Sequence, residues 1–341
     1  MKHAYSRKLS PGVWIGISVG VILFAGWLLV RTFVVAAYSL PTTSMEKTIH
    51  LGGKVLVDKL NYRPIKRGDI VVFHFPEGDT VINLPEYQSA QPYYYVIRML
   101  GAGNSDSGRQ IVLGNPDQYP LSIRPVDKRE AYLKRCIAAA GDTLEVRGEL
   151  VYINGRAQTW PPESETYFHV ITNGQPLDEA AMKEQWGVNI NNAEELRPGE
   201  RANEYDMLLT WNSREKMLKS GFARSISPII DSSGQGIFPN DNSHHWTTDN
   251  YGPLWVPRNG GTLQLTQLNY SVYERIIRTY EGNKLEIKAG KIYINGREAT
   301  SYTFKMNYYW VIGDNLHGSQ DSRYWGFVPE DHLIGKASTI L

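Results

Sequence analysis

The sequence contains a single cysteine, Cys136, so no disulfide within the chain can hold the fold together. At 341 residues the chain can bury enough core to do without one. Charge of one sign is also missing. With 36 basic against 35 acidic residues the net charge is +1, which leaves no electrostatic footprint for nucleic acid. Metal-site spacing is lacking too: His244-His245 has no second ligand pair and reads as a solvated loop. Finally, residues 11–30 hold no Asp, Glu, Lys, Arg or His.

That last absence is informative. Val13 to Val30 is apolar enough to cross a bilayer core, which takes about 20 residues. Lys2, Arg7 and Lys8 precede it, so the positive-inside rule puts residues 1–12 in the cytoplasm and everything after Arg31 outside. A cleaved signal peptide ending at Ala37 is the alternative, but its apolar stretch would be only ~7–15 residues. The run Thr32 to Tyr38 continues apolar, as an edge strand or a surface against lipid headgroups.

What the chain has in abundance is turns and tyrosine: 31 Gly, 18 Pro and 21 Tyr. From Lys54 onward the texture is short strands. Val55 to Asp58, Ile70 to Phe75 after Gly68-Asp69, and Tyr93 to Leu100 read as strands, and Gly101 to Pro125 as loop. A hairpin over Leu150 to Arg156 turns on Asn154-Gly155, and the same pattern returns at Lys291 to Arg297 with Asn295-Gly296. In that register Arg275 is the counterpart of Lys134, but Tyr270, Tyr273, Ile276, Ile277 and Tyr280 fall at helical spacing. Ser271 with Glu274 has the form of a capping box. Residues 157–284 change character, with helices expected over Leu177 to Trp186 and Ser213 to Lys219, and read as an inserted α+β domain.

Two stretches carry chemistry. Just past the apolar run, Pro41-Thr42-Thr43-Ser44-Met45 presents a serine in a turn, and a serine needs a neighbouring base to act as a nucleophile. In Tyr132-Leu133-Lys134-Arg135, alternation sends Lys134 to one face and Arg135 to the other as an outward cation. A buried lysine without a carboxylate partner loses its proton more readily and can serve as that base. A surface lysine and a plain turn are the alternatives for each stretch by itself. Ser319 to Pro329, with one Asp–Arg pair among aromatics, fits a site or its scaffold equally.

Taken together, four blocks resemble bacterial type I signal peptidase, the membrane-anchored Ser-Lys endopeptidase. They are Pro41 to Met45, Gly68 to Val71, Tyr132 to Arg135 with Gly141-Asp142, and Gly313 to Asn315 with Ser319 to Pro329. Residues 157–284 look like the variable part found in Bacteroidetes-type members. The resemblance implies a mostly β fold: a catalytic core of coiled antiparallel sheet over 37–156 and 285–341, the insert over 157–284, and a transmembrane anchor over 13–36. It implies Ser44 as nucleophile, Lys134 as general base, Ser319 holding the amine, and Thr42 in the oxyanion hole beside the Ser44 backbone N–H. Tyr38, Leu40, Met45, Ile49, Tyr132 and Leu133 would line shallow pockets for small residues, and Asp321 and Arg323 would brace the site. Thr43 stands where the family often has glycine. The implied reaction is removal of signal peptides after Ala-x-Ala motifs from secreted preproteins at the outer face of the inner membrane, with no metal or cofactor needed. The chain is expected to be a monomer, although the sequence does not set its oligomeric state.

Three rivals differ in class. Ser44-Met45-Glu46-Lys47 is an S-x-x-K tetrad, but the later S-D-N and K-T-G tripeptides of penicillin-binding enzymes are absent. A self-cleaving repressor would carry a DNA-binding helix-turn-helix in place of the anchor. An inert envelope protein would not need every dyad position filled.

Overall fold

A computed structural model of the chain describes residues 11–76, 79–81, 91–101, 105–123, 125–148, 150–232, 234, 236–241 and 243–341. Residues 1–10 of the expected cytoplasmic segment lie outside these. The apolar run forms one helix, Pro11–Phe33, with no acidic residue in its first turn. Its side chains are described over 12–28, and the large apolar ones from Val13 to Leu28 are exposed. Among the described residues no helix is long and apolar enough to cross a membrane.

The helix leads into a mostly β body. Its main sheet has seven strands in the order Val35–Ser39, Lys54–Asp58, Leu333–Ile340, Ile70–His74, Ala131–Ala138, Tyr308–Ile312 and Val328–Pro329. Every neighbouring pair is antiparallel. Register shifts at Leu56/Val57, Leu333/Gly335 and Trp310/Val311 interrupt the ladders. Such bulges strengthen the local twist, and three in one sheet curl it into a half-barrel. Strict alternation then divides its residues: Val72 and Leu133 pack with Leu40, Met45 and Val57 in one cluster, while Val71, Phe73 and Cys136 pack with Val311 and Trp325 in another.

The two Asn-Gly hairpins fold alike. Asn154 and Gly155 have φ of 54° and 75°, and Asn295 and Gly296 have 51° and 80°, the positive pair a two-residue I′ turn requires. The upstream resemblance stops there, because Lys134 lies in a strand whereas Arg275 ends the helix Tyr270–Arg275. The expected capping box does not form: Asn269 is the N-cap, and Ser271 is buried inside the first turn.

The segment expected as one insert resolves into two parts. Residues 165–228 supply a four-stranded sheet, order Leu196–Pro198, Glu204–Thr210, Glu165–Thr172, Ala223–Pro228, with helices Glu179–Trp186 and Trp211–Lys219. These share a core of their own around Phe168, Met182, Met207 and Met217. Asp178 and Thr210 cap the helices by accepting the backbone N–H of Ala181 and Ser213, so the second helix starts before Ser213. By contrast, Asn250–Trp255 returns to pair with Thr143–Arg147, and Tyr251, Leu254, Tyr273 and Ile277 join Leu144, Trp310 and Phe327 in the largest core cluster.

Two expectations are corrected. Tyr93–Leu100 is a helix, not a strand, and the expected loop after it contains a second helix, Ser105–Gly114, and the strand Leu121–Ile123. The helices meet where a Cβ on Gly108 would fall 1.6 Å from the Ile97 carbonyl oxygen. That close backbone approach, with Val96, Ile97 and Val112 buried, overrides the strand preference of the tyrosines and β-branched residues.

Candidate active site

Three stretches far apart in sequence converge at Ser44. The strand Val35–Ser39 ends at Leu40, whose N–H donates to the Gly53 carbonyl at 2.9 Å, and the chain between forms a tight loop. Within it the N–H groups of Glu46 and Ile49 donate to the carbonyls of Thr43 and Met45. Met45 and Ile49 are fully buried in the sheet's core, which fixes the loop and leaves Ser44 5% exposed. Ile70–His74 pairs with Ala131–Ala138 so that Val71 faces Lys134, and Lys134 is itself 3% exposed. Its Nζ stands 2.5 Å from Ser44 Oγ, and Thr42 Oγ1 lies 3.1 Å from the same oxygen.

The lysine is held below its ordinary range, to about 8, and burial is the main cause. Two carboxylates, Asp321 and Asp314, oppose that shift and Arg323 adds to it. Each carboxylate is already engaged by an arginine. Arg323 Nε and one terminal nitrogen donate to the two Asp321 oxygens at 2.8 Å each, in a pair with almost no exposure. Arg135 does the same to Asp314 at 2.7 and 2.6 Å. Arg135 therefore leaves the face opposite Lys134 but is no outward cation. It pins the turn after Tyr308–Ile312 and also donates to the Gly68 carbonyl. The bidentate pairing consumes negative charge that would otherwise keep the amine protonated.

That turn clamps the serine loop. The Asn315 N–H donates to the Ser44 carbonyl at 3.1 Å, the Asn315 side chain to the Thr43 carbonyl, and the Thr48 hydroxyl to Asp314 at 2.5 Å. The Asp321 carboxylate accepts from the Gly313 N–H at 3.1 Å, tying the last motif block to the clamp. The turns around the lysine strand are braced in the same way: Gly68 and Asp69 exchange backbone bonds with Cys136, and Asp142 holds Arg67, Asn154 and the Ala139 N–H. Burial pushes the Cys136 thiol far up, so it is inert packing rather than a nucleophile.

The structure differs from expectation at two positions. Ser319 makes no described hydrogen bond to the amine: its hydroxyl donates to the Gln320 carbonyl at 3.5 Å, although it lies against Gly313 next to the Ser44 carbonyl. Tyr132 is separated from the other expected pocket residues. Tyr38, Leu40, Met45, Ile49 and Leu133 gather in one apolar cluster. Tyr132 lies on the Lys134 face, stacked on Phe75 at 4.9 Å and edge-on to Trp325 at 5.4 Å. The Lys134 ammonium position is 5.9 Å from its ring centre, so Tyr132 is part of the wall that desolvates the amine.

Sequence reading missed Arg135, Asp314 and Asn315 as parts of the site. Motif density around Gly313-Asp314-Asn315 marked the segment, but nothing in the sequence pairs it with residues 43–48. His244, set aside as a metal ligand, pairs with Asp241 at 3.0 Å. Among the described residues no group of three or more His, Cys, Asp or Glu could hold a metal ion.

Gly313 is the tightest point of the clamp. A Cβ there would fall 2.3 Å from Ser319 Oγ and 2.4 Å from the Ser44 carbonyl oxygen. Gly313→Ala must push the serine loop away, and a displacement of about 1 Å is enough to cost roughly 100-fold in rate. Turnover is expected to fall by that order with secondary structure kept. Wild-type turnover in this variant, measured on a cleavable peptide, would contradict a clamp that fixes the serine.

Comparison with known proteins gives a consistent result. The family described as "Signal peptidase, peptidase S26" matches residues 13–212 and 275–341. The signal peptidase I of Aquifex aeolicus is 25% identical over 316 residues, covering 92% of this chain and 78% of that protein. The signal peptidase I of Leptolyngbya laminosa is 28% identical over 142 residues, covering 41% of this chain and 48% of its own. A Mycobacterium tuberculosis signal peptidase I is 30% identical over 146 residues, covering 40% and 43%.

Proposed function

The chain belongs to the signal peptidase family, peptidase S26, as a bacterial type I enzyme that removes signal peptides, and from that premise we propose that it works through a Ser44–Lys134 dyad. The reading is carried by one observation: a buried lysine amine 2.5 Å from a buried serine hydroxyl.

The chemistry follows from that contact. With the amine neutral, Lys134 Nζ takes the proton of Ser44 Oγ as the oxygen attacks the carbonyl carbon of the scissile peptide. The negative charge then developing on the carbonyl oxygen is met by the Ser44 N–H and the Thr42 hydroxyl. The lysine returns the proton to the departing amine, and water releases the acyl group by the same base. A lysine in water, at ~10.4, would be neutral in roughly 1 molecule in 2,500 at pH 7; at about 8 the fraction rises to about 1 in 10. Ser319 and the Asp321–Arg323 pair act in this scheme as supports for the amine's surroundings.

Specificity is proposed to come from the apolar cluster of Tyr38, Leu40, Met45, Ile49 and Leu133. Its depth is limited by buried side chains, so alanine-sized residues before the scissile bond are accepted and larger ones clash, which gives Ala-x-Ala selection. The substrates are secreted preproteins. The segment 13–36 is proposed as a single membrane anchor, with the catalytic body at the outer face of the inner membrane. Its support is the charge-free stretch 11–30 and the exposed apolar side chains from Val13 to Leu28. The body is proposed to act as a monomer, without cofactor.

A fluorogenic peptide bearing Ala-x-Ala tests the dyad, with the full chain in detergent or lipid. Wild type is expected to cleave after the second alanine, and Ser44→Ala to lose at least about 1,000-fold, the order expected when an activated nucleophile is removed. Cleavage by Ser44→Ala near the wild-type rate would sink the assignment.

A further inference from the structure

The serine loop has two faces. Met45 and Ile49 turn into the sheet's apolar cluster, while Thr43, Glu46, Lys47 and Leu51 line a groove of about 430 Å³ against the 165–228 unit. The other wall includes Glu165, Tyr167, Glu194 and Glu195, and Asn315 and His317 close one side. Four acidic residues and one lysine thus line the groove, and the lysine's ammonium is occupied by the Gly187 carbonyl at 2.9 Å. Glu46 and Glu195 are engaged locally, with His50 and with Asn189 and Asn192. His317 is held by Asp249 and Thr166.

Glu165 differs from the rest. It is 1% exposed, and neither carboxylate oxygen has a hydrogen-bond partner. Its backbone is tied to the clamp, with its N–H donating to the Asp314 carbonyl and its carbonyl accepting from Leu316, so the side chain cannot swing away with a loop. Burial pushes its carboxyl up to about 7 against the pull of Lys47. An unpaired buried carboxylate costs stability that an entering cation would offset.

We infer that this groove is a subsite for the substrate chain just after the scissile bond, and that Glu165 recognises a lysine or arginine side chain there. The inference rests on the peptidase reading above. If residues before the bond occupy the loop's apolar face, the groove on its other face, one hydrogen bond from the Ser44 carbonyl through Asn315, remains for residues after it. The 165–228 unit would then be a specificity element rather than a spacer.

The test uses peptides with a constant Ala-x-Ala segment, and Lys, Gln or Glu at the first, second or third position after the cut. Wild type is expected to show, at one of these positions, a kcat/KM for Lys about tenfold above that for Glu, as a charge-assisted hydrogen bond in a partly open groove supplies. In Glu165→Gln that ratio is expected to fall below about threefold. A ratio near one at all three positions in wild type, or an unchanged ratio in Glu165→Gln, overturns the subsite. The two failures are distinguishable. If the Gln peptides are cleaved without charge preference, only the subsite falls; if no peptide is cleaved, the dyad reading falls and the subsite with it.

Discussion

Lys134→Met is expected to abolish peptide cleavage and yet leave a protein more stable than wild type at pH 7. General-base assistance contributes about 100- to 10,000-fold, and a serine without its base is a weak nucleophile, so a loss of at least roughly 1,000-fold is expected. The stability gain comes from the same burial that tunes the amine. Lowering a lysine from 10.5 to about 8 at 1.36 kcal/mol per unit means that the folded state loses about 3 kcal/mol holding the charged form. At 3% exposure solvent does not screen that cost. The sign follows from proton counting: between pH 8 and 10.5 the unfolded chain binds more protons than the folded one, so wild-type stability rises with pH across that window. Below pH 8 the full penalty applies. The Met variant has no such group, so its advantage is largest at pH 7 and fades toward pH 10.5. Denaturant unfolding of both proteins at pH 7 and 10 checks this. A Met variant less stable than wild type at pH 7 would show that the amine is not a buried charge there. Lys134→Arg loses turnover equally but gains nothing in stability, because guanidinium stays charged.

The second large effect is at the Asp321–Arg323 pair. Breaking a buried ion pair by removing one partner typically costs about 3–5 kcal/mol, because a charge is left without compensation. Asp321→Ala is expected to lose that much, since Arg323 is buried and keeps only the Leu316 carbonyl as a described side-chain acceptor. Arg323→Ala is expected to lose a similar amount. The two part company in the active site. Without Asp321, the remaining guanidinium pushes the lysine amine further down; without Arg323, the remaining carboxylate pulls it up. The inflection of the pH–rate profile should therefore move in opposite directions in whatever fraction of each variant folds. Movement in the same direction would mean that Lys134 does not sense the pair.

Much of the local structure around Ser44 and Lys134 was legible in the sequence because it is written in neighbouring residues. The serine turn, the glycine-aspartate turns and the alternating lysine strand each announce a conformation by residue type, and each folds as read. The Asn-Gly hairpins were legible for the same reason. What could not be read is what depends on distant partners. Arg135 reads as an outward cation until Asp314 is brought beside it by the pairing of two strands. Tyr132 could be assigned to the Lys134 face by alternation, but the aromatic wall of Phe75 and Trp325 that holds it there lies far away in sequence. Tyr93–Leu100 has the composition of a strand, yet it folds as a helix that meets the next one at a backbone contact which only a residue without a Cβ, Gly108, allows. Glu165 sits in a stretch with no motif at all; its burial is a property of the clamp it touches, not of its sequence neighbours.

The most direct measurement is the pH dependence of kcat/KM for wild type on an Ala-x-Ala peptide, from pH 6 to 9.5. A base that must be neutral to act, with its proton lost at about 8, predicts a rate that falls tenfold per pH unit below 8 and levels off above it. A profile flat from pH 6 to 9, or one that still rises steeply beyond 9.5, would contradict an uncharged Lys134 as the group that activates Ser44.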